Sequence, residues 1–242
     1  MQVVLRQRGL LDYAAAYAQM RAFTAARTTT TPDEIWLCQH PPVYTQGQAG
    51  RPEHALATNG IPVIATDRGG QITYHGPGQV VAYPLIDLRR AGYFVKELVW
   101  RIEEAVLQVL ADYRIAGMRV HGAPGVYVSL QSGRSGDSEC RSEESRAKAP
   151  PASAQSTQPP APNFAGLGKI AALGLKVHQG CSYHGVALNV AMDLEPFGRI
   201  HPCGYAGLPV VDMAFCGVTA PWEEVARHLG DALLAQLAGK VE

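Results

Sequence analysis

KIAALGLKVHQGCSYHGVALNV, residues 169–190, holds two short apolar runs, Lys169 to Val177 and Gly185 to Val190, joined through HQGCSYH at 178–184. Their length and strand-forming residues make them a hairpin or an adjacent pair in a sheet. Upstream, Ile35 to Cys38, Ile61 to Ala65 and Val80 to Ile86 are short apolar runs bounded by Gly or Pro, and Val126 to Leu130 adds another strand. Leu10, Tyr13, Tyr17 and Met20 recur at helical spacing within residues 9–27, which a β-branched run and Pro32 then close. Phe94, Leu98, Ile102, Val106 and Val109 mark a central helix over 94–111. Trp222, Val225, Leu229 and Leu233 mark a last helix, with Pro221 in its first turn. Strands and helices mix without a repeating strand–helix unit. The fold class is therefore α+β, a mixed sheet flanked by helices, rather than a doubly wound sheet.

A chain of 242 residues, 47% apolar and 17% charged, can bury a full core. Lys and Arg balance Asp and Glu at 21 each, and no basic cluster is present, which argues against nucleic acid as a partner. No apolar run approaches the roughly 20 residues that span a bilayer. The opening MQVVLRQRGLLDY lacks the features of a secretory signal, so no membrane and a cytoplasmic location are expected. Five scattered cysteines argue against a disulfide framework. From Gln131 to Asn163 there is no Ile, Leu, Val, Met, Phe, Trp or Tyr. Such a stretch cannot offset its ordering entropy and reads as a disordered loop, 131–163, inserted into a single domain spanning 1–242.

RGGQITYHGPGQ, residues 68–79, packs four glycines around Arg68, Gln71, Thr73, Tyr74 and His75 just before an apolar strand. Glycines let a ligand approach the backbone and its N–H donors, and the polar side chains can orient a carbonyl. Neither a phosphate-binding loop nor a dinucleotide fingerprint is present. In HPCGYAGLP, 201–209, Cys203 lies between Pro202 and Gly204, in a segment of low helix or strand propensity, whereas Cys38 and Cys216 sit in apolar strings as core residues. A thiol needs a neighbouring cation to ionise near neutral pH. Lys169 is the candidate, because it opens an almost wholly apolar strand instead of sitting on a charged face. His178, Cys181 and His184 have ligand-like spacing, but with no Cys-x-x-Cys knuckle no metal is expected.

HPPVYTQGQAG (40–50), RGGQITYHGPGQ (68–79), GVYV (125–128), KIAALGLKV (169–177), HGVALNV (184–190) and HPCGYAG (201–207) occur in one order along nearly the whole chain. In these motifs the sequence resembles the octanoyltransferases of lipoate biosynthesis. The resemblance implies the catalytic domain of biotin and lipoate protein ligases, with the acyl chain held in a tunnel. It implies transfer of octanoyl from octanoyl-acyl carrier protein to a lysine ε-amine of lipoyl domains. The acceptors would be the lipoyl domains of 2-oxoacid dehydrogenase complexes and the glycine cleavage H protein. Cys203 would carry the acyl thioester, with Lys169 lowering its pKa and acting as general acid and base, and no cofactor is implied. Substrate contacts would fall on Arg68, Gly69, Gly70, Gln71, Ile72, Thr73, Tyr74, His75, Ala172, Leu173, Gly174, Gly185, Val186 and Ala187. The 131–163 insert departs from the family pattern, where a much shorter connection follows GVYV.

Two alternatives stay open: an ATP-dependent lipoate or biotin protein ligase on the same fold, and a non-catalytic acyl-carrier binding protein. With zero net charge, docking of an acidic carrier would need a local basic patch, for which Arg89, Arg90 and Arg101 are candidates.

Overall fold

The computed structural model describes residues 3–51, 54, 57–131, 162–201, 205 and 207–238. Ten strands and four α-helices are found there, with a short 3-10 helix at Glu195–Arg199: β1 (Val3–Leu10), α1 (Tyr13–Ala25), β2 (Asp33–Gln39), β3 (Val43–Gln46), β4 (Val63–Ala65), β5 (Ile72–His75), β6 (Gln79–Leu85), α2 (Leu88–Ala91), α3 (Val95–Asp112), β7 (Gly117–Val120), β8 (Ala123–Ser129), β9 (Leu167–His178), β10 (Cys181–Asn189) and α4 (Trp222–Ala238). A seven-stranded sheet runs β1-β2-β6-β10-β9-β8-β7, and β4-β3-β5 form a smaller one. In the large sheet only β1 and β2 are parallel, so it is a mixed sheet of the expected α+β class.

Period-two alternation gives the large sheet two buried faces. Ile35, Leu37, Val80, Ala82, Val186 and Leu188 point to one side, where Leu98, Ile102 and Val106 of α3 and Val225, Leu229 and Leu233 of α4 meet them. Trp36, Cys38, Val81, Tyr83 and Ala187 point to the other, where Ala16 and Met20 of α1 cover them. Each such Leu, Ile or Val contributes about 1.5–3 kcal/mol by leaving water.

Four expectations change. The first helix begins at Tyr13, capped by the Asp12 carboxylate on the N–H of Ala15, because residues 3–10 form an unforeseen strand. The connection between β9 and β10 is shorter than 178–184. Both strands run on to a two-residue turn, Gln179 and Gly180, with φ of 51° and 83°. The segment 68–79 is not all loop, since Ile72–His75 pairs with β3. Pro221 precedes the last helix, its carbonyl accepting from Glu224 and Val225. Residues 132–161, most of the stretch read as a disordered insert, lie outside the described residues. Among the described residues no helix is long and apolar enough to cross a membrane.

Candidate active site

Lys169 is 3% exposed near the start of β9, and three local features hold it there. The pairing of β8 with β9 shifts register between Val126 and Tyr127, opposite Lys169 and Ala171, and a bulge of this kind re-aims a side chain. The segment entering from 209 clamps the Lys169 backbone: its N–H donates to Pro209 (2.8 Å), and its carbonyl accepts from Val211 (3.0 Å). The ammonium donates to the Pro124 carbonyl at 3.1 Å and lies 5.3 Å from the centre of the Tyr127 ring. Gly125 makes room for it. With φ of 129°, a Cβ there would meet the Ala171 carbonyl at 2.6 Å and Lys169 Cε at 2.7 Å. The Gly125 N–H donates to the buried Glu103 carboxylate of α3 at 2.8 Å, which also accepts from Arg119 at 3.1 Å.

Lys169 lines a cleft of about 360 Å³ together with Pro124, Tyr127, Val95, Val99 and Tyr205. Gly70, Gln71, Leu173 and Gly174 border this cleft and also a narrower, mainly apolar slot of about 50 Å³ behind it. The floor of the slot is the large sheet: Ala172–Gly174 of β9, His184–Ala187 of β10, and Val81 and Tyr83 of β6. Its cover is Arg68, Gly70 and Gln71 with Ile72, Thr73 and His75 of β5, and Tyr13 of α1 also lines it. Backbone hydrogen bonds dock the cover. Gly47, Gln48 and Ala49 donate to the carbonyls of Gln71, Arg68 and Gly70, and Gly69 donates to Leu175 of β9. A Cβ on Gly174 would come within 2.8 Å of the Gly69 carbonyl, so glycine is required for that approach.

A chain of side-chain hydrogen bonds fixes the polar wall. Asn189 donates to the Val211 carbonyl (2.9 Å), and Gln79 donates to Asn189 (2.8 Å). His75 Nδ1 pairs with Gln79 Oε1 at 2.7 Å, Thr45 lies 3.3 Å from His75 Nε2, and the Arg68 guanidinium donates to Thr45. Burial, helped by the neighbouring His40, pushes the His75 pKa down to about 3, so the ring is neutral and carries its proton on Nδ1. His184, in the left-handed region at φ 60°, pairs with Asp67 at 3.0 Å. Burial holds its pKa down to about 4 in spite of that carboxylate. For Asp67, burial pushes upward, but hydrogen bonds from Tyr183, His184 and Tyr17 win and hold it at about 2.

The residues expected from sequence thus divide by place. Arg68, Gly70, Gln71, Ile72, Thr73, His75, Ala172, Leu173, Gly174, Gly185, Val186 and Ala187 share the slot, and Gly69 and Lys169 stand on the cleft. Tyr74 faces away, packed with Tyr44 and Phe197. Cys203 lies outside the described residues. Cys38 is buried, and burial pushes its thiol up to about 12. Of the suggested basic patch, Arg101 is 2% exposed and bonded to Glu97 and the Gln236 carbonyl, while Arg90 pairs with Asp33 at 2.7 Å. A buried, paired Arg101 cannot serve as a docking charge. Tyr13, Thr45, Glu103, Gly125, Tyr127 and Asn189 were not singled out from sequence as site residues, although Thr45, Gly125, Tyr127 and Asn189 lie inside the quoted motifs.

The family model of the lipoyl protein ligase A/B catalytic domain matches residues 12–234. The chain is 57% identical to an octanoyltransferase of Albidiferax ferrireducens, over 97% of this chain and 98% of that protein. It is 53% identical to an octanoyltransferase of Polaromonas naphthalenivorans, over 98% and 100%. Among solved structures it is similar to a bipartite lipoate protein ligase of Thermoplasma acidophilum. That match has a TM-score of 0.68 and 14% identity, over 98% of this chain and 84% of that one. It is also similar to a lipoate-protein ligase A bound with ATP, with a TM-score of 0.67 and 14% identity over 98% and 86%. At such identity these two carry the fold alone.

Proposed function

The chain belongs to the lipoyl protein ligase A/B catalytic-domain family and is an acyltransferase of octanoyl groups; from that premise we propose that it takes octanoyl from octanoyl-acyl carrier protein onto Cys203 and delivers it to a lysine ε-amine of a lipoyl domain. The observation that carries the reading is the buried Lys169 on a cleft that opens into an apolar slot, with Tyr205, two residues from Cys203, on the same cleft. The slot takes the acyl chain, and each methylene it removes from water contributes about 0.8 kcal/mol.

In the first step the Cys203 thiolate attacks the thioester carbonyl, and the bond from that carbon to the carrier sulfur breaks. The carrier sulfur leaves as a thiol, taking its proton from the Lys169 ammonium, which becomes the neutral amine. In the second step the acceptor amine attacks the enzyme thioester, gives up a proton and displaces the Cys203 thiolate. Lys169 does two things in this scheme: its charge stabilises the thiolate, and in its neutral form it receives the proton of the attacking amine. Backbone N–H groups of the glycine-rich cover stabilise each oxyanion. Because the donor is already a thioester, no nucleotide is needed. We place the reaction in the cytoplasm and treat 1–242 as one catalytic domain interrupted at 131–163.

The test is transfer without ATP, from octanoyl-acyl carrier protein to an apo lipoyl domain, followed by the mass of the acceptor. Octanoylated acceptor in the absence of nucleotide, lost in Cys203→Ala, is the expected result. Acceptor modified only with free octanoate and ATP, at wild-type rate in Cys203→Ala, would give the site to a ligase instead.

A further inference from the structure

We propose that Tyr13 sets acyl-chain length: its ring closes the far end of the slot and stops the chain at eight carbons. The inference rests on the octanoyl-transfer reading above and adds a specificity element to it. The slot crosses the strands. Leu173 and Gly174 of β9 border both cleft and slot, whereas Val81, Tyr83 and Tyr13 border the slot alone. β9, β10 and β6 are hydrogen-bonded neighbours, so this path covers two strand spacings, about 10 Å. An extended octanoyl chain has seven carbon–carbon bonds of about 1.5 Å, which in a zigzag span about 9 Å. Laid along this path, with cover and floor parting to admit it because the unfilled slot of about 50 Å³ is smaller than the chain, octanoyl brings its terminal methyl to the Tyr13 ring.

That ring has nowhere to go. It is 2% exposed, stacked on His75 at 5.7 Å and edge-on to His40 at 5.1 Å between centroids. Both histidines are themselves fixed. His40 sits between the Leu11 carbonyl (2.6 Å) and the Tyr83 hydroxyl (2.7 Å), and His75 is bonded to Gln79 (2.7 Å). A ninth and tenth carbon would have to unstack Tyr13 and push methylenes among polar groups whose hydrogen bonds would then be lost.

The experiment compares kcat/KM for hexanoyl, octanoyl, decanoyl and dodecanoyl carriers in the full chain and in Tyr13→Leu, Tyr13→Trp and Tyr13→Phe. Tyr13→Leu should raise the decanoyl to octanoyl ratio at least tenfold. Tyr13→Trp should lower octanoyl against hexanoyl by a similar factor, and Tyr13→Phe, which keeps the ring, should leave every ratio within twofold. Unchanged ratios in the Leu and Trp variants overturn the stop, as does a shift in the Phe variant as large as that in Leu. Should Tyr13→Leu be recovered unfolded, the Trp shift alone decides. A wild type that transfers no octanoyl from any carrier refutes the underlying reading instead, which keeps the two failures apart.

Discussion

Replacing Gly125 by alanine adds one carbon atom where the structure has no place for it. The new Cβ would lie 2.6 Å from the Ala171 carbonyl oxygen, 2.7 Å from Lys169 Cε and 3.1 Å from Lys169 Nζ. The first of these belongs to backbone within β9, so the β8 backbone at 125 has to shift, and the lysine side chain has to move as well. A φ of 129° is also outside what alanine adopts without strain, at a cost of about 1–3 kcal/mol. With crowding included, about 2–3 kcal/mol of stability should be lost. For a chain of this size that is a fall of about 4–12 °C in Tm. Activity should fall further than stability, because a displacement near 1 Å at a reacting group costs on the order of 100-fold. The assay is octanoyl transfer at 20 °C alongside circular dichroism, so that the rate is read on folded protein. A folded Gly125→Ala variant with wild-type kcat would refute the claim that this glycine seats Lys169.

Two further expectations concern the polar wall. His75 and His184 are neutral in the fold, with pKa values of about 3 and about 4, but take up a proton near pH 6.5 when unfolded. Their contribution to stability is therefore fully present above pH 6.5 and is lost as pH falls, toward about 4 for His184 and about 3 for His75, at up to about 1.4 kcal/mol per pH unit for each ring. Urea midpoints that stay flat between pH 7 and pH 5 would contradict this. Gln79→Leu leaves His75 Nδ1 and Asn189 Oδ1 buried without the bonds they make now, at about 1–3 kcal/mol each. A loss below 1 kcal/mol in urea titration would show that the chain of bonds does not hold the wall.

How much of this was legible in the sequence depended on whether a residue's role was local. The β9 and β10 pair stood out because its apolar runs are nearly unbroken, but its turn did not, since Gln179 gives no sign of the left-handed conformation it adopts. β1 was missed because VVLRQRGL lacks apolar alternation. It is an edge strand, held by parallel pairing to β2 and by Arg6 on Glu34 at 2.8 Å. β3 and β5 hide behind Thr45, Thr73 and His75, polar residues that are buried because Thr45 and His75 partner each other across the pair.

The same contrast runs through the site. The glycine-rich cover and Lys169 were legible as departures from habit: too many glycines for a turn, and a lysine heading an apolar strand. Tyr13 was seen only as one apolar position of a helix, because its place on the slot depends on which strands α1 crosses. Arg101 illustrates the converse error. Its charge suggested a surface, but its place on α3 turns it toward the last turn of α4, where the Gln236 carbonyl accepts from it.

The central claim is a covalent octanoyl thioester on Cys203, formed beside Lys169 and discharged to a lysine. Intact-protein mass spectrometry after mixing the enzyme with octanoyl-acyl carrier protein tests it most directly. The account predicts one octanoyl adduct on the wild type, absent from Cys203→Ala, strongly slowed in Lys169→Ala, and removed when apo lipoyl domain is added. No adduct on the wild type in the absence of acceptor, or an adduct that persists in Cys203→Ala, would contradict it.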